Sequence, residues 1–482
     1  MKRADHSNLM DRIEIAYEPA LQQDVVFRNA WIPNFQARPI GKRLFCASPA
    51  GHWGMLDPAE YEATQSVSLT RDLFERLERS FLILTRANSA SYFESYEAWS
   101  AAHFRHPSLH IVVATLRCNL ACSYCHAAVV PPDAGQSFDL SEEIADAIIE
   151  FAMNSRSNQV AFEFQGGESL LNGNILRYMI PRIRSTSAVE GKRVELSLQT
   201  NGTLLNERWM EFFTSHDVRL GTSIDGPSQL HDRQRPTHKG RGSHAAVIRT
   251  VKKFGIGALP TVTRHSLPFW QTIVDEQLAR GCRTFTFQDV YPINSAAKNW
   301  SDVGIEVDEF LESYCRVVDY AKGLWRDDYY PLDRRFRLAL QKLATGQDVR
   351  YPDFGNPCGM VHGQILYDTN GDIFTCDEGR DFPEFKLGNV RSSSYDEIVC
   401  GSRLRTLKSL SIPNDLECRT CALRAVCSTC PVYERAVTGV LSARHAGTAK
   451  CKHTKFIFDK LIGWLDDDPK LFQSLVSWHG LV

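Results

Sequence analysis

The stretch HIVVATLRCNLACSYCH, residues 110–126, decides how the chain is read. Its first six residues form a short apolar, β-branched run, the pattern of a buried strand. The next eleven carry Cys118, Cys122 and Cys125. Three thiols spaced C-x-x-x-C-x-x-C on one loop can bind three corners of a four-iron, four-sulfur cluster and leave the fourth iron open. Zinc is the alternative, with His126 as a fourth ligand.

Outward from this stretch, apolar runs and amphipathic stretches alternate. HIVVAT leads to a helix at 140–154, QVAFEFQ to 173–185, RVELSLQT to 204–215, RLGTSID to 243–254 and GALPTV to 268–279, with CRTFTFQDV closing the series. Six strands separated by helices predict a parallel sheet of βαβ crossovers, an open half to three quarters of a barrel. In such folds reactive groups gather at the carboxyl ends of strands. LRCNLACSYCH, GGES, QTNGT and SIDGP each follow a strand, the first to the fourth in turn.

Residues 1–105 read as a separate lobe. FQARPI, KRLFCAS and HWGML suggest three strands, with helices near 57–66 and 70–82, and the order suggests a small winged-helix-like unit. The barrel is expected over 106–335, followed by a helix at 306–323 within it. A cysteine-rich, turn-rich domain is expected over 336–455, and an amphipathic helix near 455–466 followed by a tail over 456–482.

The 482 residues include 14 cysteines, 55 basic and 57 acidic side chains, and the pI is near 6.7. A chain of this length buries ordinary cores without disulfides. The near-neutral charge excludes a general electrostatic binder of nucleic acid. The beginning MKRADHSNLM lacks the apolar run of a signal peptide, and no stretch approaches a membrane span, so a cytoplasmic protein with no membrane partner is expected. Clustered thiols there more often bind metal than pair with each other. Cys46, Cys282, Cys315 and Cys400 stand alone and read as structural.

CNLACSYC after a first strand, followed by GGES after the second, resembles the radical SAM superfamily. The resemblance spans residues 110–290 and implies a partial (β/α)6 barrel. It implies Cys118, Cys122 and Cys125 as cluster ligands and S-adenosylmethionine on the open iron as source of a 5′-deoxyadenosyl radical. It places Tyr124 beside the adenosine and assigns Gly166, Gly167 and Glu168 to the methionine amino group. QTNGT, SIDGP, HDRQR and GRGS resemble the peptide-modifying branch, where Gln199, Asn201 and Ser223 would face the ribose and Arg235 the carboxylate. His244 departs from the aromatic usual after G-x-G-S. Turns at N-G and D-G and a surface ion pair for Arg235 are the plainer readings.

Cys358, Gly371 and Cys376, then CRTCALRAVCSTC and Cys451, resemble the SPASM extension. Two residues, where the family has three, separate Cys427 from Cys430. Carried over in order, Cys358, Cys376 and Cys430 would hold a first auxiliary four-iron cluster, and Cys418, Cys421, Cys427 and Cys451 a second, giving three clusters in all. No cysteine lies a few residues before Cys358, so the first has three thiols and its fourth iron is open or takes a ligand from elsewhere. Two structural zinc sites are the alternative. Asp377 stands where sulfatase-maturing relatives place a catalytic aspartate, a candidate general base, with turn capping as its plainer role.

The order of modules is similar to maturases of ribosomally made peptides, in particular the larger maturase of the His-Xaa-Ser system. This implies a peptide or protein substrate, a leader peptide added as a strand to the N-terminal lobe, an external electron donor of flavodoxin or ferredoxin type, and room for a second maturase. Formylglycine formation in a sulfatase is the alternative activity. A zinc-ribbon protein binding nucleic acid or another protein is the alternative of another class.

Overall fold

A computed structural model describes residues 31–101, 106–326, 328–346, 348–349, 351–427, 429–442 and 444–481. The part of the N-terminal lobe expected over 1–30 lies outside them.

In the lobe, β1 (Trp31–Pro33) pairs antiparallel with β5 (Ile83–Thr85), and β2 (Gln36–Ile40), β3 (Arg43–Ala47) and β4 (Trp53–Leu56) form an antiparallel meander. The helices Pro58–Gln65 and Arg71–Arg79 follow. Asp57 and Glu60 close a reciprocal capping box on the first and Thr70 caps the second, satisfying backbone N–H groups that a helix start leaves free. Strand parity splits the meander. Cys46 and Leu56 face the helices' Leu73 and Leu77, whereas Ile40 and Phe45 join a core with the C-terminal helix Ala449–Asp467. Arg38 grips Asp459 with two nitrogens and Arg43 reaches Asp466 at 2.7 Å, which fixes the lobe to that helix.

The barrel strands β6 (Leu109–Thr115), β7 (Gln159–Gly166), β8 (Arg193–Gln199), β9 (Val218–Ser223) and β10 (Gly257–Leu259) are all parallel. Alternate residues Val160, Phe162 and Phe164 of β7 and Val194, Leu196 and Leu198 of β8 pack on the helices Glu142–Met153 and Gly173–Val189. Their neighbours Glu163, Gln165, Ser197 and Gln199 therefore face the barrel interior. Burying each large apolar side chain stabilises by about 1.5–3 kcal/mol, so this core carries the barrel.

The sixth strand differs from expectation. β11 (Thr284–Phe285) is two residues long and pairs with β12 (Leu332–Asp333), not with β10. β10 has only three residues, two of them exposed, and contact with the sixth strand's continuation narrows to one bridge, Val262 to Asp289. The barrel is open there. On the other edge β13 (Gln364–Tyr367) joins β6 in parallel, and β14 (Asp372–Phe374) and β15 (Lys386–Asn389) extend the sheet antiparallel to eight strands. The cysteine-rich zone is thus continuous with the barrel sheet. Beyond Ala449–Asp467, where a tail is expected, a further helix Pro469–His479 returns to the core through Leu471, Leu475 and Val476. No helix of the described residues is long and apolar enough to cross a membrane.

Candidate metal centres and the cavity between them

The loop after β6 is built to hold thiols. Cys118 N donates to Val130 O at 2.9 Å and Cys125 N to Cys122 O at 3.2 Å. The Sγ atoms of Cys118 and Cys125 each accept a backbone N–H, from Leu120 and Ala127, at 3.4 Å. Burial pushes the Cys118 thiol up to about 11 and Cys122 to about 12, with Glu168 and Cys125 adding to the first and Cys125 and Cys118 to the second, and Cys125 rises too; Arg235 opposes this in all three. Such a set becomes thiolate only against a cation. Tetrahedral zinc with bonds of about 2.3 Å would bring sulfurs to roughly 4 Å of one another. Among the described residues, the one group of three such ligands whose atoms all lie within 4.8 Å is Cys376, Asp377 and Glu378, so these three thiols are spread wider, as a cubane requires. His126 does not complete them: its Nε2 lies 3.3 Å from Asp377.

The glycines of GGES also have partners within the chain. A Cβ on Gly166 would lie 2.4 Å from Thr115 O, and one on Gly167 2.2 Å from Arg117 O. Gly167 N and Glu168 N donate to those two carbonyls, each at 2.8 Å. The pair thus lets β7 press against the cysteine loop's own backbone. The fully buried Glu168 carboxylate accepts from Leu170 N, Thr200 Oγ1 and Asn201 N, at 3.1, 2.8 and 2.7 Å. Three of its roughly four acceptor positions serve the protein, and it bolts the QTNGT turn to GGES. Asn201 in turn donates to Asn119 Oδ1 at 2.8 Å and lies 3.8 Å from Cys118 Sγ. Gln199 hydrogen-bonds Glu163, and Ser223 ends β9 opposite Leu259.

Tyr124 and Arg235 meet in a buried network around Asp225. Arg235 Nη1 donates to Tyr124 Oη at 2.6 Å, and Tyr124 Oη to the Asp225 carboxylate at 2.8 Å. Gln234 Nε2 and Thr261 N also donate to Asp225, at 2.8 and 3.2 Å. Arg235 is therefore no surface ion pair; it is 8% exposed. Its Nε is buried with no hydrogen-bond partner among the described residues, a charged donor left open beside three thiols. An anionic group such as the carboxylate of S-adenosylmethionine would satisfy it. Asp225 escapes sequence reading because SIDGP looks like a turn.

The seven candidate ligands of the C-terminal zone fall into two sets. Cys358 and Cys376 are buried in one core with Met360, Phe385, Leu404 and Val432, and Cys430 packs against it. Cys358 hydrogen-bonds Cys430, which raises the Cys358 thiol and lowers Cys430. Gly379 N donates to Cys376 Sγ at 3.2 Å and Tyr433 N to Cys430 Sγ at 3.4 Å. Cys418, Cys421, Cys427 and Cys451 line one small cavity with Leu423 and His445 among its other walls. Burial pushes Cys427 up to about 12 and Cys418 to about 11.

Asp377 stands between the centres. Burial opposes its ionisation, yet hydrogen bonds with His126 and Glu378 hold it below the usual carboxylate range. Near it, between the open barrel side and the cysteine-rich zone, lies a small cavity lined by Tyr291, Arg334, Arg335, Tyr351, Asp353 and Lys450. Asp377 and the barrel's Glu163 are close enough for its charge to raise the Glu163 carboxyl, after burial the largest effect on it.

Residues 112–275 match the Radical SAM superfamily, and residues 358–431 match SPASM, an iron–sulfur cluster-binding domain. The chain is 27% identical over 341 residues to a serine-type anaerobic sulfatase-maturating enzyme of Bacteroides thetaiotaomicron, covering 65% of this chain and 80% of that one. It is 24% identical over 334 residues to a cysteine-type enzyme of Clostridium novyi, covering 66% and 86%. Among solved structures, native anSMEcpe with bound AdoMet aligns with a TM-score of 0.62 at 19% identity, over 74% of this chain and 99% of that one. Streptococcus suis SuiB bound to precursor peptide SuiA aligns with a TM-score of 0.51 at 14% identity, over 89% and 100%.

Proposed function

Because the chain is a radical SAM/SPASM enzyme, we propose that it oxidises a residue of a ribosomally made peptide or protein, closing a crosslink or leaving an oxidised side chain. The observation that carries this is the place of Asp377, paired with the cysteine loop's His126 at 3.3 Å and adjacent in sequence to Cys376. When bound at the first three thiols, a four-iron cluster with S-adenosylmethionine supplies a 5′-deoxyadenosyl radical that removes a hydrogen atom from the substrate. The chain's own residues do the rest. Cys118, Cys122 and Cys125 hold that cluster, Arg235 takes the cofactor carboxylate on its open Nε, and Tyr124 is set by Arg235 and Asp225 to pack beside the adenosine. Gly166, Gly167, Glu168 and Asn201 fix the loop, and Gln199 and Ser223 sit at strand ends facing the cofactor.

Asp377 receives the proton that leaves the substrate as its radical is oxidised. His126 keeps that carboxyl ionised and oriented. The open barrel side between β10 and β11 admits a polypeptide, whose own bulk keeps water from the cavity. Cys358, Cys376 and Cys430, and Cys418, Cys421, Cys427 and Cys451, would hold two auxiliary four-iron clusters, which would supply one-electron redox chemistry beside the substrate, with an external one-electron donor of flavodoxin or ferredoxin type. The winged-helix reading of the lobe would let it seat a leader peptide as an added strand, in a cytoplasmic setting where a second maturase has room to act. The narrower likeness to His-Xaa-Ser maturases rests on the order of modules alone.

A second reading is favoured by the sulfatase-maturating relatives: formylglycine formation on a cysteine or serine, a particular case of the same oxidation with Asp377 as base. The test is anaerobic co-expression with each short open reading frame beside the gene, and separately with a sulfatase, followed by mass spectrometry. A loss of about 2 Da on a small peptide, as two hydrogens leave, supports the maturase reading. Modification of the sulfatase alone supports the second, and unmodified products from all pairings count against both.

A further inference from the structure

The turn that follows Cys376 reaches from one group of thiols to another. At its near end Gly379 N donates to Cys376 Sγ at 3.2 Å, so the turn Glu378–Asp381 wraps a thiol of the first auxiliary set. A Cβ at position 379 would lie 2.9 Å from Thr375 Oγ1 and 3.3 Å from Cys376 Sγ, so glycine is what lets the turn close. At its far end Arg380 crosses to the loop of the first three thiols, where its Nη2 donates to Ala127 O. Ala127 N in turn donates to Cys125 Sγ at 3.4 Å. One residue thus holds a thiol with its N–H and a guanidinium with its carbonyl.

The surroundings show what Arg380 adds there. Its side chain is 7% exposed, and its one ion-pair partner among the described residues is Asp368, 3.8 Å from Nη1 and already accepting from Thr369 N at 2.7 Å. A buried cation with so loose a counter-ion is costly unless another anion stands near it. The loop does not hang on Arg380 alone, because Ser295 N donates to Cys125 O at 3.0 Å and Asn294 Nδ2 to His126 O. What Arg380 supplies, and those neutral donors do not, is charge. One-electron reduction of a cluster adds a negative charge, and a fixed cation in a site of low dielectric stabilises it.

We propose that Arg380 is a positioning residue for the radical-generating step: it carries a positive charge from the SPASM turn to the cluster on Cys118, Cys122 and Cys125 and raises that cluster's reduction potential. The cluster then takes up its electron from the external donor more readily. This rests on those three thiols as its ligands.

The experiment uses the full chain, reconstituted anaerobically and titrated with dithionite. Electron paramagnetic resonance follows the reduced four-iron signal that changes when S-adenosylmethionine is added, which marks the radical cluster. At the potential where half of the wild-type cluster is reduced, the ratio of reduced to oxidised cluster in Arg380→Gln should be about tenfold lower. Arg380→Lys, which keeps the charge, should stay close to wild type, and all three proteins should hold the same iron. An Arg380→Gln protein with the wild-type ratio overturns the proposal. So does an Arg380→Lys protein that falls as far as Arg380→Gln, which would assign the effect to the hydrogen bond, and so does loss of iron from Arg380→Gln, which would make Arg380 a support of the loop. A wild-type protein with full iron and no signal that responds to S-adenosylmethionine overturns the cluster assignment itself, a result distinguishable from these.

Discussion

Three thiols of the first zone hang from one loop after β6, while seven of the second are gathered from a stretch running from Cys358 to Cys451. The loop rests on a barrel whose core contains no cysteine: Phe162, Phe164, Leu196, Ile180 and their neighbours would pack the same way without metal. In the second zone Cys358 and Cys376 are themselves core residues, and four other thiols line one cavity. One zone thus rests on apolar packing that holds no thiol, and in the other the thiols are part of the packing itself. Where folding and binding are coupled, removing the ion removes structure.

Removing iron should separate the two regions most sharply. In hydrogen exchange, chelated protein should lose protection over 358–451 while amides of β6 to β9 keep theirs. Equal loss in both would break the comparison. At the junction, Asp377→Asn should reduce product formation about 10²–10⁴-fold, the usual worth of a positioned base. It should leave 5′-deoxyadenosine formation nearly intact, because the loop that holds the radical cluster does not need it. If both fall together, Asp377 supports the loop and is not the base.

Within the first region, Arg235→Leu strips Asp225 and Tyr124 of their buried cation. Breaking such a buried pair costs about 3–5 kcal/mol, measured by denaturant unfolding, and Arg235→Lys should recover only part. A change below about 1 kcal/mol would mean the network is solvated. The smallest expected effect concerns acid. His110, wholly buried in β6 and bonded to Tyr367 Oη at 2.8 Å, has its pKa pushed down to about 3 by burial. The unfolded chain takes up that proton below about 6.5, so the contribution of His110 is full above that value. It is lost as pH falls toward 3, a matter of a few kcal/mol. Replacing it with phenylalanine should flatten barrel stability over this window, and an unchanged slope would assign the acid sensitivity elsewhere.

Much of this was readable from residues. β6 to β9 and their helices follow the period-two and period-3.6 patterns of long apolar runs, and QARPI, RLFCA and WGML stand where strands were expected. Short elements were not. β13 is four residues of QILY inside a turn-rich stretch, and only its pairing with β6 makes it a strand. The sixth strand ends its alternation too early to reach β10. At the site, the thiols and Arg235 carry their spacing in the sequence. What Gly166, Gly167 and Glu168 touch does not: a glycine pair signals close approach, and here the partner is the chain's own Thr115 and Arg117 carbonyls. His126 was a candidate ligand by proximity in sequence, and the fold turns it to Asp377, 251 positions along the chain.

The central claim is that the first three thiols hold a radical-generating cluster. Anaerobically reconstituted protein, given S-adenosylmethionine and dithionite, should form 5′-deoxyadenosine, and the Cys118→Ala, Cys122→Ala, Cys125→Ala protein should form none while keeping its auxiliary iron. A fully iron-loaded wild-type protein that forms no 5′-deoxyadenosine, or a colourless one that carries only zinc, would contradict it.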